Sequence, residues 1–134
     1  MKYAFDTNTV ICLLQDDPLV LQRFNAAVER GDDFTIPPLV HYEMRRGFLC
    51  KSAPKRENSY RLLTEQYPVG KMSTEVLEKG ASVYATLYRA RLTVDDADLL
   101  IAAFCMVGGY TLVTNNTRHF KVIDGLNIED WTKT

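Results

Sequence analysis

MKYAFDTNT, residues 1–9, is the stretch that decides the fold. Met1 to Phe5 is a short apolar run that suits a buried strand. It stops at Asp6-Thr7-Asn8-Thr9, side chains that favour turns and helix N-caps. Val10 to Leu14 then reads as a short helix. The same alternation continues downstream. Asp17-Pro18 starts a helix, with Asp at the cap and Pro at the first helical position. Leu19, Val20, Phe24, Ala27 and Val28 follow at helical spacing, and Gly31 ends the run. Phe34 to Ile36 predicts a second strand, closed by Pro37-Pro38. Leu39 to Cys50 predicts a helix carrying Glu43, and Pro54 to Gln66 a charge-rich one. Val69 to Met72 is a candidate third strand.

Ser73 caps a long helix to about Ala90, with Val76, Leu77, Val83, Tyr84, Leu87 and Tyr88 on its apolar side and Gly80 as a local weakness. Asp95-Asp96 opens a helix from Ala97 to Val107, which Gly108-Gly109 closes. Tyr110 to Val113 is an apolar strand ending at Thr114-Asn115-Asn116. Leu126 to Ile128 is a candidate edge strand. Helices separate most of the strands, so the fold class is α/β with a mainly parallel sheet.

At 134 residues the chain makes one ordinary domain, residues 1–134. Hydrophobic residues at 46% and charged residues at 25% are globular values, which excludes a disordered tail and a collagen-like rod. No apolar run approaches the ~18–20 residues of a membrane span. With 16 Lys+Arg against 17 Asp+Glu, the net charge is −1. That argues against a passive basic coat for nucleic acid. It leaves room for an enzyme with a local basic surface around an acidic centre. The N-terminus has no apolar signal region, and Cys12, Cys50 and Cys105 form no CxxC. Buried reduced thiols in a cytoplasmic protein are expected. His41 and His119 are too isolated for a zinc site.

In parallel α/β folds the working site lies beyond the C-terminal ends of the strands. Asp6 follows the first strand there, and Asn115 and Asn116 follow Tyr110–Val113. Asp98 lies in the first turn of the helix before that strand, beside Asp95 and Asp96. Glu43 is a further acid in a mixed helix. Carboxylates gathered at one edge repel each other, by on the order of 3 kcal/mol per pair at ~6 Å and an effective dielectric of ~20. A hard divalent cation relieves that repulsion, and oxygen-only ligands select Mg²⁺ or Mn²⁺ over zinc. Such a centre suits phosphodiester hydrolysis. Taken singly, each residue has a plainer role. Asp6 caps the next helix, Asp98 answers the helix dipole, Glu43 faces solvent, and Asn115-Asn116 is a loop.

Taken together, MKYAFDTNTVI, VHYEMRRG, DADLLIAAFC, TLVTNNTRHF and NIEDW resemble the PIN-domain ribonucleases over essentially the whole chain. More closely, the chain resembles the VapC toxins of bacterial toxin–antitoxin pairs. The resemblance implies a three-layer α/β/α PIN-like fold and a Mg²⁺- or Mn²⁺-dependent endoribonuclease. Asp6, Glu43 and Asp98 match the family's catalytic, metal-holding acids. Asn116 falls where a fourth acid or an Asn stands. Thr7, Asn8 and Thr114 match polar positions lining the site, with Asn8 and Thr114 expected to orient carboxylates and Asn115 beside them.

Two departures stand out. Val94-Asp95-Asp96-Ala97 replaces a stretch where relatives carry Gly, and Asp95 either caps the helix or adds a charge facing the metal. His119 precedes Phe120 where relatives often have an acid, which bears on whether one or two metals bind.

Arg45, Arg46, Lys51, Lys55, Arg56 and Arg61 cluster just after Glu43. They form either a solvated helical face or a rim that tracks phosphates, with Arg46, Arg45 and Lys55 the leading RNA contacts. The resemblance also implies an RNA substrate such as a tRNA loop, a homodimer, a cognate VapB-type antitoxin and no membrane. A haloacid-dehalogenase-type phosphotransferase would need a second Asp at position 8, where Asn8 stands. A phosphoacceptor receiver domain would need a different order of acids and a Lys. The alternative is a catalytically inactive PIN-fold scaffold that binds RNA or protein.

Overall fold

The computed structural model describes residues 1–134. The elements run β1 (Lys2–Phe5), α1 (Thr7–Leu14), α2 (Pro18–Glu29), β2 (Asp33–Thr35), α3 (Pro38–Cys50) and α4 (Pro54–Gln66). They continue with α5 (Thr74–Arg89), α6 (Asp96–Gly108), β3 (Thr111–Val113), α7 (Thr117–Phe120) and β4 (Ile128–Glu129). The four strands form one sheet in the order β2-β1-β3-β4, and every pairing is parallel. Tyr3, Ala4 and Phe5 of β1 lie opposite Thr111, Leu112 and Val113 of β3.

All three residues of β3 and the last three of β1 are buried. Successive strand residues point to opposite faces, so such runs require cover on both faces. Helices supply it, which gives the three-layer α/β/α arrangement. Beside β1, Tyr3, Phe5 and Phe34 pack with Phe24 of α2 and with Trp131, ring centroids 5.0–6.0 Å apart. Helix α6 packs against β3 and α5, contributing Leu99, Ile101, Ala102, Ala103, Phe104 and Cys105 to the core.

Several boundaries follow from capping chemistry. Asp6, Asp17 and Ser73 each accept a hydrogen bond from the backbone N–H three residues on, so α1, α2 and α5 begin where the sequence signals lie. Gly109 takes a left-handed conformation (φ 73°) at the end of α6. Asp95 holds the N-cap position of α6, but its side chain makes no capping hydrogen bond.

Other expectations are corrected. Val69–Met72 is not a strand: only Val69 bridges Ile36, and Gly70 N–H donates to Ile36 carbonyl at 2.8 Å before the chain leaves the sheet. The last strand falls at Ile128–Glu129 rather than Leu126–Ile128. Tyr60 is buried, but Leu77, Tyr84 and Tyr88 of α5 face solvent. The Tyr84 and Tyr88 rings stack on each other instead of on the core. Gly80 is buried against α6, where a Cβ would stand 3.0 Å from Leu100, so the missing side chain serves the close packing of α5 on α6. Cys105 is buried and Cys12 partly so, but Cys50 is exposed at the end of α3.

Gly70 offers a test of this packing. A Cβ there would lie 2.2 Å from Cζ of Phe104, whose ring is stacked on Tyr110 at an interplanar angle of 10°. Gly70→Ala is therefore expected to cost about 1–3 kcal/mol as an overpacking change. An unchanged urea midpoint would mean that the Phe104 ring swings aside freely.

Candidate acidic site at the C-terminal sheet edge

Strand β1 is joined to β2 on one side and pairs with β3 on the other, so the order of the sheet reverses between β1 and β3. A crevice opens at the carboxyl ends of strands at such a point. Asp6 follows β1 and Thr114 follows β3, which places both there. Asp6 N–H donates to Val113 carbonyl at 3.1 Å, so the sheet's ladder carries Asp6 into position.

Asp6 is only 6% exposed, and both of its carboxylate oxygens have donors. Thr9 N–H donates to Oδ1 at 2.9 Å, and the Thr114 hydroxyl donates to Oδ2. The capping and site-forming roles of Asp6 thus coexist, one on each oxygen. Thr9 in turn donates its hydroxyl to Val113 carbonyl at 2.9 Å. Thr114 Oγ1, fully buried, also accepts from Asn116 N–H at 2.9 Å. Burial pushes the Asp6 carboxyl above the usual Asp range. The bonds from Thr114 and Thr9 pull it back, and the charge of Asp98 pushes it up again.

Asp98 sits half-buried in the first turn of α6. Burial raises its carboxyl too; His119 opposes the rise and Asp95 reinforces it. Asp95 therefore acts on the site by its charge and not as a cap. His119 Nδ1 is 3.5 Å from Asp98 Oδ2 and 2.9 Å from Asn116 Nδ2. Asn116 is thus tied to the site through its backbone to Thr114 and through its side chain to His119.

Glu43, on α3, joins from the other side. Thr7, the residue after Asp6, donates its hydroxyl to Glu43 Oε1 at 2.9 Å. Arg46 Nη2 lies 3.9 Å from Glu43 Oε2. Thr7 and Thr114 orient carboxylates through their hydroxyls, and Thr9 through its N–H. Asn8 does not: its amide instead donates to Asn115 Oδ1 at 3.4 Å, joining the loops after β1 and β3.

Every donor set out at this edge by the acids is oxygen, which is the chemistry a hard divalent cation takes. The expected single cup of Asp6, Glu43 and Asp98 is not closed, however. No three acidic or histidine side chains stand close enough together to hold one ion. Glu43 is turned to Thr7 and Arg46, and Asp98 leans toward His119.

The basic cluster splits in two. Lys51 and Arg56 line a groove of about 290 Å³ that starts at Thr7 and Glu43 and has Ile11, Leu14 and Phe48 in its walls. Arg45 lies on the other side of α3, paired with Glu57 at 2.9 Å beside a separate cavity that also takes in His41 and Tyr60. Arg61 lies there too, bonded to Glu65 and Asn58. Arg45 is therefore withdrawn from the acidic edge, against expectation. Lys55 is exposed and lines neither cavity.

The sequence reading missed Thr9, and it named His119 without foreseeing its contacts. Thr9 is the buried donor to Asp6, and its place three residues after a capping Asp was the available signal. His119 touches both Asp98 and Asn116, and α7, the single turn that presents it, was too short to show a period.

Fold and site together define a parallel α/β protein with a buried acid at a topological switch point. The PIN domain family model matches residues 3–126, and the chain belongs to the PIN-domain family. It is similar to the tRNA(fMet)-specific endonuclease VapC of Salmonella typhimurium, 29% identical over 98% of each chain. It is similar also to the ribonuclease VapC2 of Rickettsia felis, 27% identical over 99% of this chain and all of that one. Among solved structures, DNA-bound VapBC from Salmonella typhimurium matches with a TM-score of 0.80 at 27% identity, covering 98% of each chain. VapBC-1 from nontypeable Haemophilus influenzae matches with a TM-score of 0.87 at 24% identity, covering 99% of this chain and 100% of that one.

Proposed function

We propose that the chain is a Mg²⁺- or Mn²⁺-dependent endoribonuclease, the toxin of a toxin–antitoxin pair. One observation carries the reading: Asp6, a buried carboxylate with both oxygens held, stands at the sheet's switch point within electrostatic reach of Asp98 and one residue from the Thr7–Glu43 contact. Keeping such a charge dehydrated beside another is unfavourable for folding alone. A cation offsets it.

Asp6 would hold the cation together with Asp98 and Glu43 once these two turn in from His119 and Arg46, with Asn116 in support. When bound, it supplies charge neutralisation at the phosphate and a more acidic water. The chain's own residues do the rest. Thr9 and Thr114 fix Asp6, and Thr7 fixes Glu43. In this reading Arg46, beside Glu43, contacts the substrate's phosphate, and Lys51 and Arg56 extend positive charge along the groove. Products with 5′-phosphate and 3′-hydroxyl ends are expected. The Salmonella relative's name makes tRNA the first substrate to try. The VapBC complexes support a VapB-type antitoxin as partner, and a homodimer and a cytoplasmic setting complete the reading. No helix is long and apolar enough to cross a membrane.

The scaffold reading draws on one observation: Arg46 and His119 already stand against Glu43 and Asp98. Purified chain incubated with total RNA separates the two. Cuts that need Mg²⁺ or Mn²⁺, mapped at RNA 5′ ends and suppressed by the cognate antitoxin, support the nuclease. Absent cutting supports the scaffold, and metal-independent cutting overturns the metal assignment while keeping a nuclease.

The groove makes its own prediction. Removing one phosphate contact lowers the slope of log K against log salt by about 0.7 for a single strand. Lys51→Ala and Arg56→Ala should each do so in RNA binding. Arg45→Ala, at a site already matched by Glu57, should leave the slope alone. Equal slopes for all three would remove the groove from RNA binding.

A further inference from the structure

Tyr42 precedes Glu43 on α3 and is 56% exposed, an unusual placement for a large ring beside a site. The Arg46 guanidinium lies over the ring, its carbon 5.2 Å from the centroid. The same guanidinium stands 3.9 Å from Glu43, and its side chain is 57% exposed. The order in space is therefore ring, planar cation, catalytic carboxylate. With one face covered by Arg46, the exposed remainder of the ring meets solvent. The other exposed tyrosines, Tyr84 and Tyr88, lie on α5 and stack on each other.

We infer that Tyr42, braced by Arg46, is a platform on which a base of single-stranded RNA stacks next to the cleaved bond. The inference rests on the ribonuclease reading above and names how that site holds its substrate. Single-stranded RNA presents unstacked bases. Grooves that hold single strands combine aromatic rings for the bases with cations for the backbone. Both parts are present on α3 beside Glu43: the ring is Tyr42 and the cation is Arg46, while Lys51 and Arg56 line the groove that Glu43 also borders. Arg46 serves twice, since a guanidinium stacked on an aromatic face keeps its N–H edges free for phosphate oxygens. Stacking is tolerant of base identity, so the platform positions a nucleotide without choosing it.

The test uses the full chain and a synthetic single-stranded oligoribonucleotide spanning the cut found by 5′-end mapping. Tyr42→Ala should raise KM about tenfold with kcat within about twofold. Tyr42→Phe should restore KM to within about twofold, because the ring stacks and the hydroxyl does not. An abasic nucleotide placed in turn on each side of the cut should, at one of them, raise the wild-type KM and abolish the difference from Tyr42→Ala.

An unchanged KM in Tyr42→Ala overturns the inference, as does a Phe variant no better than Ala. Unchanged KM with weakened antitoxin binding reassigns the ring to the partner protein. A wild-type chain that cuts no RNA overturns the ribonuclease reading itself. Wild-type cutting with an indifferent Tyr42→Ala overturns only the platform.

Discussion

Asp6→Asn is expected to lower RNA cleavage by at least ~10³-fold, while the folded chain without metal becomes more stable. The two effects have one cause. Asp6 is dehydrated, and its carboxyl titrates above the usual Asp range chiefly because of burial. A folded-state pKa above the unfolded one means that the native protein binds the proton more tightly. The ionised form therefore subtracts stability, fully so above the folded pKa and not at all below about pH 4, the unfolded value.

Asn has the size of Asp and no charge. Its oxygen can accept from Thr9 N–H, and its amide can donate to Thr114 Oγ1. The variant should thus unfold at higher urea than wild type at pH 7, with the gap closing as pH falls through the folded pKa toward 4. Cleavage should fail because the loss of an anionic ligand removes several kcal/mol of transition-state stabilisation, and each 1.36 kcal/mol is tenfold in rate. Full activity in Asp6→Asn would end the assignment. A lower urea midpoint at pH 7 would mean that the charge is a net stabiliser, most directly through the Thr114 bond.

The fold was legible where one residue's chemistry determines a backbone event. Asp6, Asp17 and Ser73 mark helix starts because each carries an oxygen that satisfies an otherwise orphan N–H. Pro54 and Gln66 bound α4 as read. Legibility failed where tertiary contacts decide. Val69–Met72 has strand-like residues, yet Gly70 must pass against the Phe104 ring, and pairing stops after Val69. Tyr84 and Tyr88 share helical spacing with Val76 and Leu87, but only the latter two meet the core. A stripe broad enough to include both pairs cannot show which edge of it the neighbouring helix covers. Cys50 looked apolar by its neighbours and emerged exposed, because α3 ends there.

At the site, the sequence located the acids but not their partners. Strand ends and helix starts pointed Asp6 and Asp98 to one sheet edge, and Glu43, inside α3, was joined to them by the resemblance alone. Their hydrogen bonds could not be read, since these depend on rotamers and loop approach. The bond expected of Asn8 belongs to Thr7, whose short side chain reaches Glu43, whereas Asn8 spans to Asn115. The cluster around Arg45 and Arg46 read as one patch because a sequence has no near and far side. On α3 the two neighbours diverge, one to Glu57 and one to Glu43.

Thr114→Val should be the most damaging change of a residue that has no charge. Val matches Thr in shape, so packing is kept and only the hydroxyl is lost. That hydroxyl donates to Asp6 Oδ2 and accepts from Asn116 N–H in a place sealed from water. Removing it leaves a buried carboxylate oxygen and a backbone N–H unpaired, a loss of about 2–4 kcal/mol from a hydrogen bond to a charge plus desolvation. The Thr114 bond is also the strongest influence holding the Asp6 carboxyl down. Its loss raises the carboxyl further, so the acid limb of the cleavage profile should move to higher pH.

Thr114→Ser, which keeps the oxygen, should restore the profile. A purely structural role would lower stability but leave the limb in place, and that result would separate Thr114 from the chemistry. In the Asp6→Asn background the cost of Thr114→Val should shrink, because the neutral amide has less to lose. A double-mutant cycle reads that coupling directly, and additive costs would show that Thr114 and Asp6 do not act as a pair.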